Sequence, residues 1–261
     1  MKNFMKMRIH INSIYSACVK LGSILILVAS FASCAANATN VRQNPNFKAL
    51  QETIESIAIL QPQVDLTLKT ATGGEKLTGQ FEQVGINVSN VIARELTRKG
   101  FKMIIIANSP EVADPDGLKA IEDAFEDLRS GLWDLPPVAG SEAINYNFSL
   151  SRDISNIATK SSTNALLFVS FSGYTRSGGD IAAEVASKTL LSLATLGLVT
   201  RPADPSGAAV VAVALVDGKS GDILWGNKSG WLYSLTGPTF EEKDLVKLIE
   251  KLFEKFPNKA R

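Results

Sequence analysis

The sequence contains one histidine and two cysteines among its 261 residues. His10 and Cys18 both precede residue 33, so the chain from Cys34 onward has no histidine and one cysteine. That composition excludes Ser-His-Asp and Cys-His catalysis, metal sites built from histidine or from several cysteines, and disulfide bonds within this part of the chain. Carboxylate chemistry, a Ser-Lys pair and oxygen-ligand cation sites stay open, but none of them has a recognisable motif here.

Charge of one sign is missing from the N-terminal region. No acidic residue precedes Cys34, whereas four of the 27 basic residues do. The rest of the chain then carries 23 basic and 26 acidic residues, a net charge of −3. A weakly acidic chain lacks the basic face that nucleic acid requires and the polybasic patch that anionic lipids attract, so we expect no nucleic-acid partner.

Residues 21–34, LGSILILVASFASC, form an apolar run that ends in small residues and a cysteine. A basic flank, a short apolar core and small residues at its exit are typical of a secretory signal. The run has about a dozen residues, against about 20 for a bilayer span. The pattern therefore predicts a signal peptide over residues 1–33.

Residues 31–34, Phe-Ala-Ser-Cys, resemble the lipobox of bacterial lipoproteins, although Phe31 stands where leucine is usual. The resemblance implies cleavage before Cys34 and lipid attachment to it, which would tie the protein to the membrane. Ala35, rather than aspartate, follows the cysteine, and the sorting pattern of such proteins then implies the outer membrane, with the protein facing the periplasm. The alternative is cleavage after Ala36 or Ala38, which would leave an exported protein without an anchor.

The remaining chain predicts a tether over residues 34–52 and a single α/β domain over residues 53–261. Apolar runs predict five strands, at residues 56–60 with a possible extension to 66, and at 101–107, 165–174, 208–216 and 223–233. Helical periodicity predicts helices at 78–99, 109–133, 151–160 and 239–256. We therefore expect a central sheet of about five strands with helices packed on it. Residues 101–107 should form a central strand, and residues 70–77 a glycine-rich loop.

Three motifs allow either a purely structural or a functional interpretation. Residues 74–81, GEKLTGQF, resemble a phosphate-binding loop, but Gln80 and Phe81 replace its lysine and hydroxyl, so we predict a plain loop and no cofactor. Asp217 and Asp222 flank a turn, where turn chemistry is favoured over a cation site. Trp225 shares one strand face with two further aromatic residues, at 231 and 233, which predicts an aromatic row beneath a helix more than a ligand-stacking surface.

Residues 157–171 and the hairpin at 213–225 resemble the periplasmic α/β domain that CsgG-type, LpoB-type and TolB N-terminal-type proteins share. Asn164 stands where that group usually has aspartate, and the group's frequent "ER…L" motif is missing after the second strand. The resemblance implies a TolB-N-terminal/CsgG-like fold and a role in scaffolding, regulation or export. It implies no catalytic residues.

These observations predict a non-enzymatic outer-membrane lipoprotein that acts in envelope assembly, transport or secretion through protein contacts. The alternatives are a CsgG-like oligomeric secretion component and a carboxylate-dependent cell-wall hydrolase. Residues 181–199 carry no charge from Thr189 onward and would be apolar on nearly all sides as a helix. We expect this segment to contact envelope proteins or a second copy, the alternative being a helix enclosed in the domain.

Overall fold

The computed structural model describes residues 38–70, 73–106, 115–133, 138–139, 143–150, 154–179, 181–182, 206–233 and 240–259. Its strands are β1 (Ala38–Thr39), β2 (Arg42–Gln43), β3 (Ser56–Ile59), β4 (Gln63–Thr70), β5 (Gly73–Lys76), β6 (Lys102–Ile105), β7 (Val138–Ala139), β8 (Ile144–Asn145), β9 (Ala165–Arg176), β10 (Gly207–Asp217) and β11 (Ile223–Tyr233). The helices of four or more residues are α1 (Phe47–Leu50), α2 (Phe81–Arg98), α3 (Pro115–Trp133), α4 (Ile154–Lys160) and α5 (Glu242–Leu252).

The chain divides into two compact units, one made of residues 1–39 and 137–142 and the other of residues 40–136 and 143–261. In the described part of the first unit, β1 pairs with β7 in an antiparallel ladder. The second unit contains a mixed sheet of nine strands and all five helices named above. Everything below concerns this second unit.

The long strand β9 organises the nine-stranded sheet. On one side it pairs antiparallel with β10, and the sheet continues through β11 and β2 to β8. On the other side two shorter strands share its length: β3 pairs in parallel with its first residues and β4 with its second half. Beyond them, β6 pairs with β3 and β5 pairs with β4. The chain therefore bends between β3 and β4 while both remain paired with one neighbour.

Alternation along the strands creates two apolar faces, as the period of two in a strand requires. Leu167 and Phe171 of β9 face what we name the first core, which α2 and α5 cover. Leu166 and Phe168 face the other core, which α3 and α4 cover. The second unit is therefore a three-layered α/β sandwich, which confirms the α/β class expected from the sequence.

Trp225 on β11 is the largest fully buried side chain of the first core. Its ring stacks on Phe253 with centroids 5.8 Å apart and meets Phe256 edge-on at 4.8 Å. Burial of such a side chain contributes about 2–3 kcal/mol. Asn227, two residues along the same face, donates from Nδ2 to the carbonyl of Leu252 at 2.6 Å and so satisfies one carbonyl at the end of α5.

The end of α2 follows from one glycine. Gly100 has φ of +97°, its N–H donates to the carbonyl of Thr97, and the N–H of Phe101 donates to that of Leu96. This pair of bonds is the Schellman arrangement, which needs a left-handed residue after the helix. Gly100 therefore caps the C-terminal end of α2.

Several sequence expectations need correction. The sheet has nine strands instead of about five, because β2, β5 and β8 are too short to show alternation and β3 and β4 are two strands instead of one. Residues 70–77, expected as a loop, contain the edge strand β5. The strand expected at the centre, β6, pairs only with β3 among the described residues.

The folded body also begins earlier than residue 53. Within the predicted tether, β2 pairs with β11 and with β8, and Val41 and Phe47 are buried in the first core. Residues 40–52 are therefore part of the second unit, and the boundary moves toward the N terminus.

Candidate functional site

A groove of about 450 Å³ lies between α2 and the bend that joins β3 to β4. Two stripes of α2, each with the i, i+4, i+8 spacing of one helix face, form one wall. The outer stripe is Glu82, Ile86 and Asn90, all exposed, and the inner stripe is Phe81, Gly85 and Ser89. Gln61, Pro62, Val64, Thr78 and Ile105 complete the lining.

The bend explains why the groove exists. Leu60 still donates its N–H to the carbonyl of Leu167, at 3.1 Å, and Pro62 then interrupts the run because proline has no N–H to donate. On the facing side, Gly85 of α2 has no side chain. A Cβ added there would lie 3.6 Å from Val64 Cγ2 and 4.0 Å from Pro62 Cδ. These are ordinary contacts, so the missing side chain leaves space that a methyl group could occupy.

Ser89 lies on the inner stripe of α2 with its hydroxyl buried. The residue is 2% exposed, and its Oγ, itself buried, has no hydrogen-bond partner. A serine in a helix can return its hydroxyl to the carbonyl four residues earlier, and this one does not. A buried hydroxyl without a partner costs about 1–3 kcal/mol, so this side chain lowers the stability of the fold and offers nothing to a ligand in the groove.

The walls are otherwise mostly apolar, and their charge is of one sign. Val64, Phe81 and Ile105 are half-buried along the sides, and Ile86 is 40% exposed on the rim. Glu82 is the only ionisable side chain among the described residues that line the groove. The groove therefore offers apolar contact, amide and hydroxyl groups on the rim, and one negative charge.

The structure resolves the motifs that the sequence left open. Asp217 accepts hydrogen bonds on Oδ1 from the N–H groups of Lys219 and Ser220, at 2.9 and 2.7 Å, which is turn chemistry as expected. In the phosphate-loop lookalike, Lys76 pairs with Asp65 and the chain forms the β4–β5 hairpin. The aromatic-row prediction is confirmed for Trp225; the side chains at 231 and 233 lie outside the described residues.

Two other predicted sites also lie outside the described residues. Cys34, the predicted lipid attachment point, is one of them. The other is the segment 181–199, of which only residues 181 and 182 are described. Both stay predictions.

Sequence reasoning missed the role of Asn164. Its Oδ1 accepts from the N–H groups of Glu55 and Ser56, at 3.1 and 3.2 Å, and from Ser56 Oγ at 3.2 Å. Its own carbonyl accepts from the N–H of Gly218 at 2.8 Å. Asn164 therefore fixes the start of β3 beside β9, and a carboxylate at this position would accept the same bonds. The group's usual aspartate was the available signal.

The carboxylates give little support to a hydrolase. The pKa of Glu122 on α3 is raised, first by burial and then by Asp123. Its cavity measures about 10 Å³ and is lined by Leu60, Gln61 and Phe168 among others, so it has no room for a sugar or peptide substrate. Across the described ranges, no three or more His, Cys, Asp or Glu side chains form a group that could hold a metal ion.

A buried cation lies at the β2 end of the sheet. Arg42 is 1% exposed; burial lowers its pKa, and Tyr146 opposes that shift. Burial likewise raises the pKa of Tyr146, against the effect of Arg42. Tyr146 stacks on the exposed ring of Phe148 with centroids 4.4 Å apart, so this cluster is packed and leaves no groove.

None of the helices in the described part of the chain is long and apolar enough to cross a membrane. No protein-family model matches the sequence, and no curated protein matches it significantly.

Among solved structures, the chain is similar to the PelC dodecamer from Paraburkholderia phytofirmans, at 11% identity and a TM-score of 0.35, over 79% of this chain and 89% of that one. It is similar to lipoprotein GNA1162 from Neisseria meningitidis at 12% identity and a TM-score of 0.33, over 77% and 98% of the two chains. For the LpoB C-terminal domain from Salmonella enterica the identity is 13% and the TM-score 0.23, over 74% and 95%. Similarity at this level assigns no function, and we base none on it.

Proposed function

We propose that the protein is a non-enzymatic, lipid-anchored protein of the outer membrane that faces the periplasm and works by binding other proteins. The location is supported by the basic flank, the apolar run and Cys34 in residues 1–34. The binding role is supported by the groove beside α2, whose apolar walls, exposed Ile86 and polar rim form a surface suited to recognition.

The anchor has a direct test. Cells grown with an alkyne-labelled fatty acid should label the wild-type protein and leave the Cys34→Ala variant unlabelled. Fractionation should then move the variant out of the outer membrane. Equal labelling of both proteins would refute the anchor, whatever the groove does.

The groove needs a test inside the cell. A photo-crosslinking amino acid at Ile86 should give adducts with envelope proteins, and those adducts should disappear when Gly85→Leu fills the groove. Phe148 is the control, since it is another exposed large apolar side chain, 47% exposed against 40% for Ile86, and it does not line the groove. Adducts of the same pattern from both positions would mean that Ile86 only reports chance encounters.

The second proposed surface is the segment 181–199, which we propose contacts envelope proteins or a second copy of the chain. Leu193→Glu separates the two interpretations of this uncharged stretch. If thermal unfolding is unchanged while sedimentation shows a smaller particle, the segment is an interface. If the domain unfolds instead, the segment belongs to the core.

A further inference from the structure

We propose that the groove beside α2 binds an extended partner segment in which a large apolar side chain stands next to a lysine or an arginine. This inference rests on the proposed function, because it names the class of partner for the same groove.

The dimensions favour an extended chain. The outer stripe runs from Glu82 to Asn90, and the eight steps between these residues span about 12 Å at 1.5 Å per step. An extended peptide advances about 3.3 Å per residue, so about four of its residues span the groove. The volume of about 450 Å³ falls in the range of small-ligand sites and leaves room for more than one side chain of a partner.

The sides and the rim select an apolar side chain with polar groups close to it. Val64, Phe81 and Ile105 provide the half-buried apolar contact. The exposed amides of Gln61 and Asn90 lie on the same lining, and a peptide backbone supplies both a donor and an acceptor beside every side chain. A purely apolar ligand would leave those amides to water.

The rim selects the neighbouring charge. Glu82 is the only ionisable group among the described lining residues, so no basic side chain there compensates an acidic ligand. A lysine or arginine next to the apolar side chain can reach this carboxylate at the surface. The gain is modest for an exposed pair, about two- to five-fold in affinity, whereas an acidic neighbour is repelled.

The test uses a phage-displayed library of random dodecapeptides and the mature lipidated protein in detergent micelles. Selection on the wild type is followed by subtraction on Gly85→Leu, whose side chain projects into the groove. Gly85→Ala is the second blocking variant, because its methyl group meets only ordinary contacts. We expect the enriched sequences to combine a large apolar residue with an adjacent lysine or arginine.

A selected synthetic peptide then tests the named residues. Glu82→Gln should weaken binding about two- to five-fold, whereas Ser89→Ala, which removes a buried hydroxyl, should leave binding unchanged. Glu52→Gln removes the same charge from an exposed residue outside the groove and should change nothing. Thermal unfolding of each variant shows that the fold is retained.

Two results would overturn the inference: peptides that bind the wild type and both Gly85 variants equally, or enrichment of sequences with acidic neighbours. Neither depends on lipid attachment. If Cys34 is unlabelled in cells while the peptides bind as expected, the proposed location fails and the groove specificity stands. The reverse pattern leaves the anchor and removes the specificity.

Discussion

The buried hydroxyl of Ser89 gives a prediction whose sign is unusual for a core substitution. Ser89→Ala removes a group that is 2% exposed and has no hydrogen-bond partner. The unbonded hydroxyl costs about 1–3 kcal/mol, and alanine is favoured over serine in a helix by about 0.5 kcal/mol. The free energy of unfolding should therefore rise by about 1.5–3.5 kcal/mol. Because a chain of this size gains about 2–4 °C in Tm per kcal/mol, thermal and urea unfolding can both measure the effect.

Ser161, which directly follows α4, is the control, since it is also a buried serine, 5% exposed. Its Oγ donates to the carbonyl of Ile157 at 2.8 Å and lies 2.8 Å from Thr163 Oγ1. Ser161→Ala should lower the free energy of unfolding by about 1 kcal/mol, because it deletes bonds that are made. If Ser89→Ala also destabilises by about 1 kcal/mol or more, the Ser89 hydroxyl makes a hydrogen bond and the prediction is wrong.

Three further substitutions follow from contacts elsewhere in the sheet. Asn164→Ala should lower the free energy of unfolding in urea by about 2–4 kcal/mol, because it removes the acceptor of two backbone N–H groups at the start of β3. Asn164→Asp keeps the acceptor and should lose less than half of that. Equal losses for the two variants would contradict the role of Asn164 as an acceptor. Gly218→Ala should destabilise the fold by at least about 2 kcal/mol, since its Cβ would lie 2.6 Å from that of Ala158. In the control Gly79→Ala the Cβ meets nothing within 4 Å, so the substitution should be neutral. Similar melting curves for the two variants would refute the clash. Glu122→Gln should raise the free energy of unfolding at pH 7, because the raised pKa of Glu122 means that its ionised form destabilises the fold. Below about pH 4 the carboxyl is protonated in both the folded and the unfolded chain, so the gain should vanish there. A gain of the same size at every pH would contradict this effect.

The long elements could be predicted because each buries a periodic face of its own. The apolar stripe of α2 and the alternation of β9 identify a helix and a strand without knowledge of their neighbours. The short strands could not be predicted in this way. Two residues of β2 contain no period, and they pair because β11 and β8 lie on either side of them. Their strand geometry is set by contacts distant in the sequence.

The apolar run of β6 shows a second limit. Such a run is typical of a central strand with both faces covered. In β6, Met103 and Ile105 pack on the core beneath α2, whereas on the other face Lys102 is exposed and Ile104 is half-buried. Among the described residues β6 also has one neighbouring strand. The apolar composition of a strand therefore does not establish its place in the strand order.

The groove had a weak signal in the sequence that only the tertiary bend makes meaningful. Phe81, Gly85 and Ser89 recur at four-residue intervals beside the apolar stripe of α2, so a large residue is followed by two small ones along one line of the helix. Small residues there could equally mark a close approach by another element. Which of the two occurs depends on where Pro62 turns the chain, and that position is fixed by the pairing of β3 and β4 with β9.

The faces of α2 that do not line the groove are fixed by packing, by a hydrogen bond and by an ion pair, and this lowers the entropy cost of binding in the groove. Val88 and Ile92 are buried against the sheet. On the flank toward α5, Asn87 donates from Nδ2 to the carbonyl of Phe240 at 3.3 Å, and Arg94 pairs with Glu242. The helical wall is therefore in place before a ligand arrives, and its ordering cost on binding is limited to exposed side chains such as Glu82, Ile86 and Asn90. The entropy that a partner segment loses is then mostly its own, which favours segments that are already extended, and a proline placed outside the contact residues of a selected peptide should tighten its binding.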